Sequence, residues 1–261
     1  MPVILSDGIV TRYTNYREND RIISIFTIDH GRIDAKARGC RKATSALLPV
    51  CQPFVFGQFE LYSAKEKYTV NQCEIKETFF PIREDYGRFA TASAALQLVH
   101  HAVQENQPNE SLFTLLYHAL SYLAYGSADS QDLFCCFLIR YLNAIGYRPA
   151  VTTCAHCGRD LRGDATIRFS AALGGAVCMG CATYADEISK TALEGLRRML
   201  LLADNEMDRV RLTEPIRREI TNALTAYTAY VLDYGKRSLE VLTDMENVGR
   251  TSEGDHKAIV L

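Results

Sequence analysis

Four of the nine cysteines are grouped in two Cys-x-x-Cys pairs, and this spacing constrains the fold more than any other feature of the sequence. The pairs are Cys154 with Cys157 and Cys178 with Cys181. One such turn directs two thiolates at a single ion, and two turns complete a tetrahedral site. Zinc is the ion that four soft thiolates in a tetrahedron favour. The sequence therefore predicts one structural zinc ion held by these four cysteines.

Other interpretations of the cysteine pairs remain open at this point. The four residues could form two redox Cys-x-x-Cys motifs or stay as unlinked thiols, and His156 could replace one ligand. A closed four-thiolate site has no free position for water, which makes it structural rather than catalytic. The sequence also lacks the His-x-Glu signature of zinc deaminases and the His-Glu-x-x-His motif of metalloproteases. We therefore predict a protein that is not an enzyme and has no small-molecule substrate.

The composition fits a folded protein of the cytoplasm. Hydrophobic residues make up 48% and charged residues 23% of the 261 positions, with a formal net charge of −2. An odd number of cysteines and an amino terminus without a signal-peptide pattern predict a cytoplasmic protein rather than a disulfide framework. No apolar run approaches the roughly 18 residues that cross a bilayer, so no membrane contact is expected.

The hydrophobic period divides the chain into two parts. Short alternating or β-branched runs predict strands over residues 3–9, 21–28, 54–62, 68–75 and 78–80, which is typical of a small barrel or sandwich. Apolar residues three and four apart then predict helices over residues 89–103, 112–123, 134–145, 193–200 and 216–234, with Thr213 as the cap of the last one. We predict a β domain over residues 1–80 and a helical domain over residues 81–246.

The cysteine segment interrupts the helical pattern. We predict a zinc module over residues 151–183, in which residues 167–170 pair with residues 176–178 as a short hairpin. From residue 247 the periodicity is lost, and residues 247–261 are predicted to be a mobile tail.

A basic stretch follows the second predicted strand. Five cations lie within eleven residues, and residues 36–42 (KARGCRK) contain no acid. Gly39 lets this loop bend toward a phosphate backbone. The candidate phosphate contacts are Arg32, Lys36, Arg38, Arg41 and Lys42. A solvated loop is the alternative, because the net charge of the whole chain is close to neutral.

Aromatic residues of the β part are candidate platforms for stacked bases, although we expect most of them in the core. The candidates are Tyr13, Tyr16, Phe54, Phe56 and Tyr68. Among these, we predict Tyr13 and Tyr16 as the nucleic-acid contacts.

Taken in order, these segments resemble the bacterial RecO family of recombination mediators. The resemblance runs from about residue 4 to residue 202. Its carriers are residues 8–10 (GIV), 15–25 (NYRENDRIISI), 26–32 (FTIDHGR), 37–42 (ARGCRK), 52–54 (QPF), 79–85 (FFPIRED), 154–158 (CAHCG) and 174–182 (GGAVCMGCA).

The resemblance implies an α+β protein. It implies an amino-terminal OB-fold β-barrel, followed by a helical carboxy-terminal region with an inserted four-cysteine zinc module. It also implies binding to single- and double-stranded DNA, annealing of complementary strands, and loading of RecA with RecR onto DNA coated by single-strand-binding protein. The last 50 or so residues match the family less clearly.

Two other functions remain as alternatives to a DNA-binding mediator. The chain could be a protein–protein adaptor with a structural zinc and little direct DNA binding. A zinc-dependent hydrolase or nuclease is disfavoured because the predicted metal site is closed.

Overall fold

A closed five-stranded barrel forms the amino-terminal part of the protein. The computed structural model describes residues 3–65, 67–164, 166–182, 185–234 and 239. The strands are β1 (Val3–Tyr16), β2 (Asp20–Thr27), β3 (Gly31–Ala37), β4 (Phe56–Ala64) and β5 (Lys67–Glu77). They pair in the order β1-β2-β3-β5-β4, and β4 closes the ring on β1. Only the β3–β5 pairing of the barrel is parallel. The chain thus builds a small barrel, as the strand pattern predicts, in the OB-like form that the family resemblance implies.

The barrel interior follows from the period-2 pattern of its strands. Inward positions of β2 and β3 carry Ile23, Ile25 and Ile33, which are buried with Phe59 and Leu61 of β4. A bulge between Val10 and Arg12 shifts the register of β1 against β2. Beyond the bulge, β1 continues to Tyr16, well past its predicted end at residue 9. Aromatic and β-branched residues at alternate positions therefore account for the fold of this part.

The predicted strand over residues 78–80 is wrong. Phe79 has a φ of 48°, in the left-handed region, and Phe80 begins a 3-10 helix (Phe80–Glu84). Pro81 removes a backbone donor that a strand would need. The Glu77 carboxylate accepts hydrogen bonds from the backbone N–H groups of Thr78 and Phe79 at 2.7 and 2.8 Å. These bonds turn the chain from the barrel into the first helix.

Five helices follow the barrel: α1 (Tyr86–Ala102), α2 (Glu110–Tyr125), α3 (Ser130–Ala144), α4 (Lys190–Leu201) and α5 (Glu214–Val231). Side chains of Asp85, Asn109 and Asp129 cap the first three by accepting backbone N–H groups. Thr213 occupies the N-cap position of α5, as predicted, although its side chain accepts no hydrogen bond there. No helix of the described residues is long and apolar enough to cross a membrane.

The cysteine segment lies between α3 and α4 as a small three-stranded sheet. Its strands are β6 (Ile167–Ser170), β7 (Gly175–Cys178) and β8 (Asp186–Ile188), in the order β7-β6-β8. The β6–β7 pairing confirms the predicted hairpin. The predicted tail over residues 247–261 lies outside the described residues.

One core joins the helices, the cysteine segment and the outer surface of the barrel. Ile9, Phe26 and Phe54 leave the barrel and are buried among helical residues. The Phe26 ring meets the Phe113 ring of α2 edge to face, with their centres 5.3 Å apart. This contact fixes the barrel against the helices. The far end of β1 and the β1–β2 turn, residues 14–19, remain exposed.

Candidate metal centre and nucleic-acid interface

The four grouped cysteines converge on one point of the folded chain. The sulfur atoms of Cys154, Cys157, Cys178 and Cys181 all lie within 4.8 Å of one another. The Sγ atoms of Cys157 and Cys178 are 3.9 Å apart. A zinc ion with Zn–S distances of about 2.3 Å has S–S edges of about 3.8 Å. The arrangement therefore fits a tetrahedral metal ion with four sulfur ligands.

Local backbone structure places these thiols and favours a thiolate among them. Gly158 follows the first pair with a φ of 76°, which closes the turn. The backbone N–H of Cys178 points at the Cys154 sulfur, 3.5 Å away. Burial raises the pKa of Cys154, but the backbone N–H groups of Cys157, Cys178 and His156 outweigh it and lower the pKa to about 6. A deprotonated sulfur is the form that binds a metal.

The cysteine segment is attached to the helices rather than free of them. The Phe169 ring of β6 meets the Tyr227 ring of α5 edge to face at 6.2 Å. The Arg197 Nε of α4 donates to the Val151 carbonyl oxygen at 2.6 Å. All four candidate ligands are contributed by the protein, so the cluster can order this segment but leaves no open ligand position for catalysis.

The basic stretch begins on β3 and continues into a loop. Lys36 is the penultimate residue of β3, and Gly39 takes a φ of 63° just beyond it. The Asp20 carboxylate accepts the Gly39 backbone N–H at 2.8 Å and pairs with the Lys36 ammonium at 2.9 Å. Those contacts, the Gly39 bond foremost, hold the pKa of Asp20 below its usual value. An acid that is distant in sequence thus fastens the basic loop to the barrel.

The predicted phosphate contacts fall into two groups. Arg38, Arg41 and Lys42 are exposed, and none of them has an ion pair with a described residue. Lys36 is paired with Asp20, as above. Arg32 is half-buried at the barrel–helix junction, where it donates to the His100 carbonyl oxygen at 3.3 Å and lies 3.8 Å from Glu105.

The aromatic candidates also differ in their exposure. Tyr16 is 38% exposed, with the Arg17 guanidinium 5.3 Å and the Lys36 ammonium 4.9 Å from its ring centre. Tyr13 is half-buried beneath the Arg21 guanidinium at 3.9 Å. The others pack into the molecule: Phe54 is buried, Phe56 meets Tyr117 of α2, and Tyr68 lies against the barrel core.

Two further cations belong to the same surface and were missed in the sequence. Arg12 is exposed on the outward face of β1, and Arg17 is exposed in the β1–β2 turn beside Tyr16. Strand alternation alone could not have found Arg12, because the bulge between Val10 and Arg12 reverses the phase of β1. Ile4 and Val10 face the barrel core before the bulge, whereas residues 12, 14 and 16 face outward after it. We call the set of Arg12, Tyr16, Arg17, Arg38, Arg41 and Lys42 the basic face.

Family models and similar proteins identify the family of this chain. The model of the recombination protein O N-terminal domain matches residues 1–79, and that of the recombination protein O C-terminal domain matches residues 83–240. The chain belongs to the RecO family. It is similar to the DNA repair protein RecO of Pelotomaculum thermopropionicum, at 35% identity over the whole of both chains. It is also similar to that of Desulforamulus reducens, at 30% identity over 96% of this chain and 98% of the relative.

Membership of the RecO family implies a role in DNA repair and recombination. The two family models divide the chain between the last strand of the barrel and the first helix. The structure contains the barrel, the helices and the cysteine cluster that the resemblance to this family implies.

Proposed function

We propose that this RecO-family chain is a non-catalytic recombination mediator that binds single- and double-stranded DNA through the basic face. The observation that carries the proposal is the set of three neighbouring exposed cations, Arg38, Arg41 and Lys42, each without an ion pair to a described residue. They continue from Tyr16 and Arg17, so charge and an exposed aromatic ring occur together. Cations beside an aromatic surface suit a nucleic acid strand.

The chemistry of the basic face determines how tightly and how selectively it binds. Guanidinium and ammonium groups contact phosphates, which carry no sequence information, so binding is expected to be blind to sequence. Four or five phosphate contacts give a log–log dependence of affinity on salt with a slope of about −3 to −4. Lys36 and Arg32 contribute less than their charge suggests, because Asp20 and Glu105 neutralise part of it.

Annealing of DNA strands and loading of RecA require only that the protein binds DNA, and no covalent bond has to be broken. A strand held by its phosphates keeps its base edges available for a complementary strand. We propose that the chain anneals such strands and, with RecR, assists the loading of RecA on DNA coated by single-strand-binding protein. Binding energy supplies the driving force, since no nucleotide-binding motif occurs in the sequence. We propose a cytoplasmic location in association with the nucleoid, because that is where the DNA lies.

We also propose that Cys154, Cys157, Cys178 and Cys181 hold one structural zinc ion. The mutual distances of the sulfur atoms and the Cys178 backbone N–H directed at the Cys154 sulfur support this assignment. The ion would cross-link the turn at Cys154 to the end of β7. It would take no part in a reaction on DNA. The residues of the segment then present a fixed surface against α4 and α5.

A salt titration of DNA binding tests the role of the basic face. We expect the triple variant Arg38→Ala, Arg41→Ala, Lys42→Ala to bind single-stranded DNA at least tenfold more weakly at 50 mM salt and to flatten the slope by about 2. Fluorescence anisotropy with a labelled oligonucleotide measures both quantities. The same variant is expected to anneal complementary oligonucleotides more slowly.

The matched control removes three cations elsewhere. Arg162, Arg209 and Arg218 are exposed and lie in or beside the helical region. Replacing them with Ala changes the net charge equally and is expected to leave the slope nearly unchanged. If both triple variants weakened binding equally, the basic face would not be the DNA surface. If wild-type protein bound no DNA at low salt, the adaptor function would be favoured.

A further inference from the structure

A cleft of about 840 Å³ lies between the barrel and α1, and apart from Arg12 its lining residues have no role in the proposal above. One wall is the β1 surface at Arg12 and Tyr13, and the floor is the segment of residues 52–54. The other wall is a stripe of α1 on which Phe89, Ser93 and Gln97 recur every four residues. The cleft thus lies between the two regions of the molecule and begins beside the basic face.

The lining of the cleft offers hydrogen-bonding groups that the folded chain leaves unused. The side chains of Gln52, Ser93 and Gln97 make no hydrogen bond to any described residue, although all three are half-buried. Two primary amides and a hydroxyl provide both donors and acceptors. Such a set matches the edge of a nucleobase, which also presents both donors and acceptors.

An aromatic ring stands at one end of the same stripe. Phe89 is 44% exposed, and its ring packs edge to face on Phe54 with the centres 5.8 Å apart. The Arg83 guanidinium lies over the Phe54 ring, 5.2 Å from its centre, and donates to the Thr78 and Pro53 carbonyl oxygens. These contacts hold Phe89 in place at the cleft and leave part of its surface for stacking.

The cleft continues the path of the basic face. Arg12 and Tyr16 lie on the same outward side of β1, four residues apart, which corresponds to about 13 Å. Arg12 is near enough to His100 in the cleft that its charge helps to lower the pKa of that histidine. A strand whose phosphates lie along the basic face therefore passes the cleft opening, with Arg12 placed to hold a phosphate there.

We infer that the cleft receives an unstacked base of single-stranded DNA, with Phe89 stacking on the base and Gln97 bonding to its edge. The inference rests on the proposed DNA-binding function and deepens it. Duplex DNA keeps its bases stacked and paired, so only a single strand gains from the cleft. Binding at the cleft is therefore expected to favour single strands over duplexes.

Substitutions in the cleft test the inference by comparing three ligands. We expect Phe89→Ala to bind a twenty-residue oligothymidylate about tenfold more weakly than wild type does, since the stacking of one base is lost. Binding of a duplex of equal length is expected to change less than twofold. A single strand of abasic sites is expected to bind wild type and Phe89→Ala equally, because it has no base to insert.

A second variant keeps the test independent of packing around Phe54. Gln97→Glu has nearly the same shape, so it preserves the fold while it places a negative charge and removes the amide donor inside the cleft. It is expected to weaken oligothymidylate binding more than the charge-matched Gln107→Glu at an exposed position. Phe80→Ala, which removes an exposed aromatic ring outside the cleft lining, is expected to bind as wild type does.

The outcomes separate this inference from the proposed function. If Phe89→Ala and Gln97→Glu bound oligothymidylate as tightly as wild type while the basic-face variant did not, the cleft inference would be wrong and the proposed function would stand. Equal affinity of wild type for abasic and thymidine strands would also overturn the inference. Saturable binding of free thymidine monophosphate tighter than that of the oligonucleotide would identify a mononucleotide site instead. If wild type bound no DNA, both proposals would fail.

Discussion

At the scale of single residues, Asp20 of the barrel has a structural role beside the basic face. Asp20 accepts the Gly39 backbone N–H and pairs with Lys36, so one carboxylate shapes the loop that carries Arg38, Arg41 and Lys42. Its presence reduces the net charge of the surface by one. These bonds hold the backbone of the loop, so only the side chains of its remaining cations lose freedom when they meet a phosphate.

The backbone of Gly39 gives the first prediction. Its φ of 63° is costly for any residue with a Cβ, while the space around it is open, with only the Lys42 side chain at 4.0 Å. We expect Gly39→Ala to lower the free energy of unfolding by about 1 kcal/mol, measured by urea denaturation. Gly163→Ala, which meets nothing within 4 Å and has an ordinary φ, is the control. Equal stability of the two variants would contradict a constrained loop.

His100 gives a prediction about pH. Burial, together with the charges of Arg32, His101 and Arg12, lowers its pKa from 6.5 to about 4, against a smaller opposing effect of Asp34. The unfolded chain therefore binds more protons than the folded chain between about pH 6.5 and pH 4, and folding stability falls as the pH falls through this window. We expect the free energy of unfolding of wild type to fall more steeply there than that of His100→Gln. Parallel pH profiles of the two proteins would contradict this assignment.

At the scale of elements, the cysteine segment depends on groups that are far apart in sequence. The register of β6 with β7 sets Cys178 opposite Ile167, and the turn at Gly158 brings Cys154 and Cys157 to the same point. Contacts such as Phe169 with Tyr227 attach the segment to α5. Removing the proposed ion is therefore expected to loosen the segment and its contacts with α5 together.

The metal site yields a prediction at this scale. We expect one zinc ion per chain by elemental analysis of reduced protein, and loss of most of it in Cys178→Ser. Because structural zinc stabilises a fold by several kcal/mol, the melting temperature of this variant is expected to fall by about 5–10 °C. Cys73→Ser changes a thiol of the barrel outside the cluster and is expected to retain the zinc. Zinc-free wild-type protein with an unchanged melting temperature would exclude a structural ion.

At the scale of the whole molecule, the barrel and the helices share a core. Ile9, Phe26 and Phe54 project from the barrel into the cluster formed by α1, α2 and α3. The cleft proposed to hold a base lies along this junction, between β1 and α1. Its width therefore depends on how firmly the two regions pack against each other.

This shared core gives the last prediction. Phe113 is 5% exposed, and its ring contacts those of Phe26 and Phe56. We expect Phe113→Ala to lower the free energy of unfolding by about 3–5 kcal/mol. Barrel and helices are expected to unfold in a single transition in wild type, as followed by circular dichroism. Phe80→Ala, at an exposed ring, should change stability by less than about 0.5 kcal/mol. Two separate transitions in wild type would show that the core is not shared.

The sequence by itself determined the features that depend on near neighbours. The change of hydrophobic period located the barrel and most helices, the spacing of the cysteines indicated their cluster, and the hairpin of the cysteine segment was predicted nearly to the residue. The basic loop was also recognisable from its composition. Each of these signals is local, because turns and periodic faces are set by residues within a few positions of one another.

Only the tertiary structure decided which side chains meet across long separations. It paired Lys36 with Asp20, placed Arg32 at the helix junction and buried Phe54. It also brought Arg12 to the cleft opposite Gln97, 85 positions away. These contacts depend on how whole elements pack into one core. The sequence around either residue therefore does not indicate its partner.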